Sequence, residues 1–198
     1  MRLRQTLTAP GWRHAALAGA ILAATTSLAL ARTAGAAVIS EFALPAGTEP
    51  LFIARGSDGN LWFSGWVGSK VGKVTTVGLI TEYSTPKSEP KYITAGPDGN
   101  LWFTYSLEAK VGKITTSGTV TEYALPEKSY PEGIATGADG NLWVADEDSS
   151  KLSRITTSGT ITAYSLPAKS EPLGITSGPD DNLWFTETGT LKIGKITP

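Results

Sequence analysis

Few side chains in this sequence could perform acid–base or metal chemistry. There is no cysteine, which excludes thiol catalysis, disulfide bonds and cysteine-ligated metals. The single histidine is His14, so the chain beyond its first 37 residues has no imidazole at all. Carboxylates and lysines are then the main candidates. A cluster of oxygen ligands of this kind suits Mg²⁺ or Ca²⁺ and argues against zinc.

The first 37 residues have the order of a secretory signal peptide. Four arginines and no acidic residue surround an Ala/Leu-rich stretch at residues 15–31, and small residues follow, so cleavage is expected after Ala36 or Ala37. The apolar stretch is interrupted by polar residues and is short for a bilayer span of about 20 residues. We therefore expect residues 38–198 to form a secreted domain, extracellular or periplasmic, that is not held in a membrane.

The charge of that domain bears on its partners. Without the four arginines, 13 basic residues face 18 acidic ones, a net charge of about −5. The lysines recur at fixed repeat positions, which predicts a solvated outer stripe and no basic surface for nucleic acid.

One motif recurs four times and sets the architecture. The aspartates of "SDGNLWF", "PDGNLWF", "ADGNLWV" and "PDDNLWF" are spaced by 40, 41 and 41 residues, at Asp58, Asp98, Asp139 and Asp180. Around each lie short β-branched or aromatic runs bounded by turn residues, and the Asp-Gly pairs favour tight hairpins. Because "LWF" is apolar on both faces of its strand, both faces need a cover. The pattern predicts an all-β propeller of four-stranded blades, about four in number.

Two features follow from the blade pattern. The tryptophans of "NLW" are expected between adjacent blades rather than as exposed platforms for a sugar or a base: Trp62, Trp102, Trp143 and Trp184. The segment "VISEFALP" at residues 38–45 matches the outermost strand of a blade, which the last repeat lacks. We expect this N-terminal strand to pair with the blade of Trp184. Whether four blades close a ring, two chains share eight, or the chain is part of a longer propeller stays open.

The repeat also resembles a known family. The run "PDGNLWF" with "KVGKITTSGTVTEYALP" and its copies across residues 38–198 are similar to those of the virginiamycin B lyase, or streptogramin lyase, family. The resemblance implies a seven-bladed propeller. It also implies a magnesium-assisted elimination that opens the ester linkage of a cyclic depsipeptide antibiotic. The sequence has only about four blades.

The resemblance implies where site residues lie. The family's general base is a histidine just after the proline that begins an inner strand, and the four positions here are Leu51, Lys91, Glu132 and Leu173. Only Lys91 and Glu132 could take a proton, and neither is naturally poised to do so at neutral pH. In the family, the acidic residue that holds the metal is the last residue of "WFTE". Glu187 matches it and Asp146 is its acidic equivalent in another repeat, which makes these two the candidate ligands for Mg²⁺.

Three functions are compatible with these residues. The first is a secreted, non-catalytic propeller that binds a small molecule or a protein at its central face. The second is an incomplete propeller whose remaining blades are encoded further on. The third is an active carbon–oxygen lyase on streptogramin B-type cyclic depsipeptides. Fold resemblance by itself does not transmit activity, so enzymatic status stays open.

The export prediction is testable on the purified product. Expressed in a host that exports it, the chain should begin at Ala37 or Val38, since small residues precede both positions. Intact-mass measurement of the exported protein reads this directly. A product that retains residues 1–36 after export would contradict the signal-peptide assignment.

Overall fold

A computed structural model describes residues 37–86 and 89–198, so the predicted signal peptide lies outside the described residues. The chain divides into two units, Met1–Ser40 and Glu41–Pro198, and every strand among the described residues lies in the second. A single 3₁₀ turn, Ser106–Glu108, accompanies the strands described. Within the two described ranges there is no helix with the length and apolar character to cross a bilayer.

The strands form four antiparallel sheets in chain order, and we call each sheet a blade. The first blade contains β1 (Pro50–Arg55), β2 (Leu61–Gly65), β3 (Lys70–Val74) and β4 (Ile80–Ser84). The second contains β5 (Pro90–Ala95), β6 (Leu101–Tyr105), β7 (Lys110–Ile114) and β8 (Val120–Ala124). The third contains β9 (Pro131–Thr136), β10 (Leu142–Asp146), β11 (Lys151–Ile155) and β12 (Ile161–Ser165). The fourth contains β13 (Pro172–Ser177), β14 (Leu183–Glu187) and β15 (Lys192–Ile196).

The blades are joined through their inner strands, because β1, β5, β9 and β13 lie beside one another in that order. The hairpin after each inner strand has the expected positive φ, at Gly59, Gly99 and Gly140. In the fourth repeat Asp181 takes the same conformation with φ of 58°, which an aspartate tolerates better than most residues. The all-β propeller architecture with four blades is therefore confirmed.

Tryptophans fill the spaces between blades in the first three repeats, as predicted. Trp62, Trp102 and Trp143 are buried, and each stacks on a tyrosine of its own outer strand at 5.2–5.5 Å between ring centroids. The other side of Trp62 meets the second blade, in a cluster with Ile93, Leu101 and others. Burial of a large aromatic at each interface supplies much of the stabilisation of the arc.

The repeated aspartate has a second role that the sequence did not reveal. Besides turning the hairpin, Asp98 accepts a hydrogen bond from the buried Trp102 indole at 3.0 Å and another from Asn100 at 2.8 Å. Burial on its own would raise the pKa of Asp98, but these hydrogen bonds outweigh it and hold the pKa below its usual range. The same balance lowers the pKa of Asp58 and Asp139.

The lysines of the first two blades are not the solvated stripe expected from sequence, whereas Lys192 and Lys195 of the fourth blade are exposed, as expected. Lys73 and Lys113 lie over the tryptophan and tyrosine rings of their own blades, 5.2–5.8 Å from the ring centroids. Lys70 and Lys110 pair with glutamates of the neighbouring outer strand at 2.5 and 2.9 Å. Their alkyl stems and charges therefore cover the blade interface.

Two expectations at the ends of the arc were wrong. Trp184 is 37% exposed, because among the described residues no fifth blade covers it. Residues 38–45 form no strand and do not pair with β15, which is the last strand of a three-stranded sheet. Phe42 instead covers Gly78 of the first blade, as Tyr83 covers Gly118 and Tyr123 covers Gly159. The segment 41–45 thus stands where the outer strand of a preceding blade would lie.

Truncation of an interface tryptophan should be costly. Trp102→Ala is expected to lower the free energy of unfolding by about 3–5 kcal/mol, because it leaves a cavity between two blades. Leu107→Ala, at an exposed position, is the matched control and should cost less than about 0.5 kcal/mol. Urea unfolding followed by circular dichroism measures both. A loss below about 1 kcal/mol for Trp102→Ala would mean that the ring is not a core residue.

The lowered aspartate pKa predicts acid sensitivity. A carboxylate with a depressed folded-state pKa contributes stability that is present above about pH 4 and is lost as the pH falls through the folded value. Asp98→Asn keeps an oxygen acceptor for the indole but cannot titrate, so its stability should fall less steeply between about pH 5 and pH 2. The double variant Asp98→Asn/Asp139→Asn should lose still less stability over this pH range. Parallel pH profiles for the wild type and both variants would contradict the assignment.

Candidate functional site

The candidate site lies where the inner strands begin. In every blade the proline that opens the inner strand pairs with the last residue of the second strand: Pro50 with Gly65, Pro90 with Tyr105, Pro131 with Asp146 and Pro172 with Glu187. The two positions that the resemblance implicates are therefore adjacent in each blade. The architecture gathers Leu51, Lys91, Glu132 and Leu173 at one end of neighbouring inner strands.

Each inner strand bulges directly after its proline, which displaces the next residues from the regular ladder. The amide that the bulge frees donates to a hydroxyl of the second strand in three blades: Phe52 to Ser64 at 3.1 Å, Tyr92 to Thr104 at 3.2 Å and Gly174 to Thr186 at 2.9 Å. In the third blade Gly133 approaches β13 so closely that a Cβ would lie 2.6 Å from the Leu173 carbonyl. The residue before Gly133, Glu132, is buried.

Lys91 and Glu132 form an ion pair across two inner strands. The Lys91 Nζ donates to Glu132 Oε1 at 2.5 Å, and Glu132 is 1% exposed. The ammonium also lies 5.8 Å from the Trp66 ring centroid and 5.6 Å from that of Tyr92. The structure thus brings together the two residues that the sequence offered as bases, and each neutralises the other.

Negative charge accumulates around this pair. Burial raises the pKa of Glu147, and the negative charges of Glu132 and Asp148 raise it further. Burial likewise raises the pKa of Tyr92, with Glu132 adding to the effect. Lys91 opposes both shifts, so it is the cation that offsets the local field.

The two candidate metal ligands have separate surroundings. Asp146 is fully buried, its Oδ1 accepts a hydrogen bond from the Tyr130 amide at 2.8 Å, and its Oδ2 has no hydrogen-bond partner in the part of the chain that the structure describes. Glu187 is also buried, and its Oε2 accepts the Thr190 hydroxyl at 2.6 Å. In residues 37–86 and 89–198 no three acidic or histidine side chains come close enough to hold a metal ion. Cation binding by Glu187 and Asp146 stays a prediction.

A depression of about 340 Å³ opens beside Lys91. Trp66, Leu51, Tyr130 and Glu49 are among the residues that line it. Sequence reasoning missed Trp66 and Tyr130. A signal was present, because Trp66 stands where the other repeats have Ser106, Glu147 and Thr188, and Tyr130 stands where they have Glu49, Glu89 and Glu171.

Comparisons with known proteins agree with this architecture. The model of the virginiamycin B lyase family matches residues 18–198. The structure is similar to virginiamycin B lyase from Staphylococcus aureus, at 42% identity and a TM-score of 0.77 over 80% of this chain. It is also similar to a catalytically inactive histidine-to-alanine variant of that enzyme with quinupristin, at 41% identity and a TM-score of 0.78 over 81% of this chain.

A structure described as a streptogramin B lyase is similar at 36% identity, with a TM-score of 0.73 over 80% of this chain. The chain covers 56% of each of the two Staphylococcus aureus chains and 58% of this one. It therefore spans little more than half the length of these relatives. A search of curated protein sequences finds no match.

Removal of one member of the central ion pair should destabilise the fold. Lys91→Met leaves the buried Glu132 carboxylate without its cation. We expect a loss of about 2 kcal/mol, below the roughly 3–5 kcal/mol of a fully buried pair because Lys91 is partly exposed. The double variant Lys91→Met/Glu132→Gln should recover part of that loss.

The matched control is Lys110→Met, which breaks the more exposed pair with Glu122 and should cost less than about 1 kcal/mol. Denaturant unfolding of the four proteins completes the comparison. Equal losses for Lys91→Met and Lys110→Met, or no recovery in the double variant, would show that the central pair has no special role.

Proposed function

The chain belongs to the virginiamycin B lyase family, and we propose that it is an exported, non-catalytic member that binds a small molecule at its central face. The observation that carries the proposal is the Lys91–Glu132 ion pair, at 2.5 Å with Glu132 buried. These two residues occupy the positions at which the family places its base. The ion pair engages the two candidate bases with each other rather than with a substrate.

The histidine content supports the same conclusion. The solved relative that carries a histidine-to-alanine change is described as catalytically inactive, so that enzyme depends on a histidine. This chain has one histidine, His14, which lies in the predicted signal peptide. A general base typically raises a reaction rate 10²–10⁴-fold, so the absence of this histidine would remove a large part of the rate enhancement.

The depression at the central face fits a particular ligand chemistry. Trp66 and Leu51 offer apolar surface, Lys91 offers a donor, and Tyr130 lies on the wall. Such a mixture suits a molecule that carries an aromatic or aliphatic group beside a carbonyl or carboxylate acceptor. Quinupristin is present in one solved relative. We therefore name cyclic depsipeptides as the first ligand class to test.

An active lyase is the second candidate, favoured by one observation. Glu132 Oε2 and Asp146 Oδ2 are buried and have no hydrogen-bond partner among the described residues, as expected of carboxylate oxygens in an empty cation site. Magnesium would stabilise negative charge on a carbonyl oxygen when bound. Because the described residues lack a group of three ligands, we derive no step through it. A longer protein that supplies further blades would be a third case, since the chain covers 56% of its relatives.

Two assays on the purified chain decide between these functions. Incubated with quinupristin and Mg²⁺, the protein should leave the ring intact, because no residue is poised to take the proton. Elimination would give a linear isomer of unchanged mass, which liquid chromatography with fragmentation mass spectrometry resolves. Appearance of this isomer, with loss of the activity in Lys91→Met or Glu187→Gln, would overturn the non-catalytic proposal.

Binding is read separately by isothermal titration calorimetry. Heat of binding should be lost in Trp66→Ala, which removes the aromatic wall, and retained in Leu107→Ala, an exposed position outside the depression. Failure of the wild type to bind quinupristin would remove cyclic depsipeptides as the ligand class. Equal binding by both variants would place any ligand elsewhere on the chain.

A further inference from the structure

Two loops on either side of Lys91 each join an aromatic residue to an acidic one. In the first blade, the Trp66 amide donates to the Glu49 carbonyl at 2.9 Å. In the third blade, the Glu147 amide donates to the Tyr130 carbonyl at 3.1 Å. Lys91 belongs to the second blade, which lies between these two. A carboxylate and an aromatic side chain are therefore held together by the backbone on both sides of it.

The two pairs occupy equivalent positions in the opposite order. Glu49 and Tyr130 directly precede the proline of their inner strands, and Trp66 and Glu147 directly follow their second strands. The same two positions in the second and fourth blades hold no aromatic residue: they are Glu89 with Ser106 and Glu171 with Thr188. Among the four repeats, the combination of a ring and a carboxylate is thus confined to the two blades that flank Lys91.

These loops meet at the depression of about 340 Å³ beside Lys91. Glu49, Trp66 and Tyr130 are among the residues that line it, and Glu147 is joined to it through Tyr130. The Lys91 ammonium lies 5.8 Å from the Trp66 ring centroid, close to the limit of about 6 Å for a cation–π contact. The depression therefore combines aromatic side chains with neighbouring carboxylates.

The surroundings of the depression carry more negative than positive charge. The Lys91 ammonium is engaged by Glu132 at 2.5 Å. Within residues 37–86 and 89–198, no ion pair includes Glu49, Glu147 or Asp148. Burial raises the pKa of Glu147, and the charges of Glu132 and Asp148 raise it further. A further positive charge would relieve this repulsion among the carboxylates.

Glu132 gives a second sign that positive charge is in short supply here. The residue is 1% exposed, and its Oε1 is bound by Lys91. Its Oε2 is buried and has no hydrogen-bond partner in the part of the chain that the structure describes. One ammonium therefore leaves a buried carboxylate only partly compensated.

We propose that the ligand of this depression carries a positively charged alkylammonium group. Trp66 and Tyr130 contact this group through their rings, and Glu49 and Glu147 neutralise its charge. Aromatic side chains are a recurring means of binding quaternary ammonium groups, and nearby carboxylates add Coulomb attraction. The inference rests on the proposed function, that this depression binds a small molecule, and adds a charge to the acceptor group assigned to Lys91.

An anionic ligand is the alternative, because Lys91 lines the same depression. Its ammonium is already engaged by Glu132, and an anion would add to the negative charge of Glu49 and Glu147. A cation has the opposite effect on the same carboxylates. The balance of charge therefore favours the alkylammonium group.

The test uses three small probes of similar shape and different charge. Choline is the cation, dimethylbutanol is its neutral analogue with carbon in place of nitrogen, and dimethylbutanoate is the anion. Each is titrated into the isotope-labelled chain at constant ionic strength with a metal chelator present. The indole N–H signal of Trp66, assigned with Trp66→Phe, is followed by nuclear magnetic resonance. We expect choline to bind about tenfold more tightly than dimethylbutanol, and dimethylbutanoate to bind most weakly.

Charge-removing variants locate the contact. Glu49→Gln and Glu147→Gln should each weaken choline binding about two- to fivefold and leave dimethylbutanol binding unchanged, because each removes a charge and keeps the shape. Glu127→Gln, an exposed acidic position that does not line the depression, is the matched control and should bind choline as the wild type does. Glu49 is also exposed, so Glu49→Gln decides the matter even if Glu147→Gln does not fold.

The outcomes separate this inference from the proposed function. Equal binding of choline and dimethylbutanol, or tighter binding of dimethylbutanoate, would overturn the charge assignment and leave the depression as a binding site. Choline binding that is unchanged in both Glu49→Gln and Glu147→Gln would also overturn it. Silence of the Trp66 signal with all three probes, while quinupristin binds in calorimetry, would overturn the charge assignment alone. Failure of every probe and of quinupristin would overturn both proposals.

Discussion

The burial of a tryptophan between adjacent blades is the interaction on which the rest of the structure depends. Trp102 touches its own outer strand on one side and the third blade on the other, and its indole nitrogen donates to Asp98. The aspartate accepts a hydrogen bond from the one polar atom of an otherwise apolar side chain, so the tryptophan is buried without an unsatisfied donor. Repetition of this contact sets the angle between blades and so the position of every inner strand.

The sequence revealed this framework because its signals are local. Strand lengths, Asp-Gly turns and the recurrence of "NLW" depend on a few neighbouring residues, and all of them were confirmed. The fate of Trp184 and of residues 38–45 was not predictable in the same way. Both depend on whether the ends of the arc meet, and that is decided by small rotations at every interface rather than by any single motif. The repeat pattern alone is the same for an open arc and a closed ring.

The candidate site was likewise only partly predictable from the sequence. The family resemblance identified Lys91 and Glu132 as separate candidates, but no local pattern indicates that residues 41 positions apart form an ion pair. Adjacent inner strands and the bulge after each proline bring them together. Trp66 and Tyr130 were missed because they lie in loops, where the repeat is weakest. Positions at which the copies of a repeat differ are therefore the places to look for binding residues in such chains.

A single recurring interface explains both the stability of the inner blades and the exposed faces of the end blades. The measurement that tests this most directly is hydrogen–deuterium exchange of β7, Lys110–Ile114, and β11, Lys151–Ile155, in the wild type and in Trp102→Ala. The account predicts that protection of both strands falls together in the variant, because residues of both pack in the cluster that the Trp102 ring fills. Unchanged protection of both strands would contradict it.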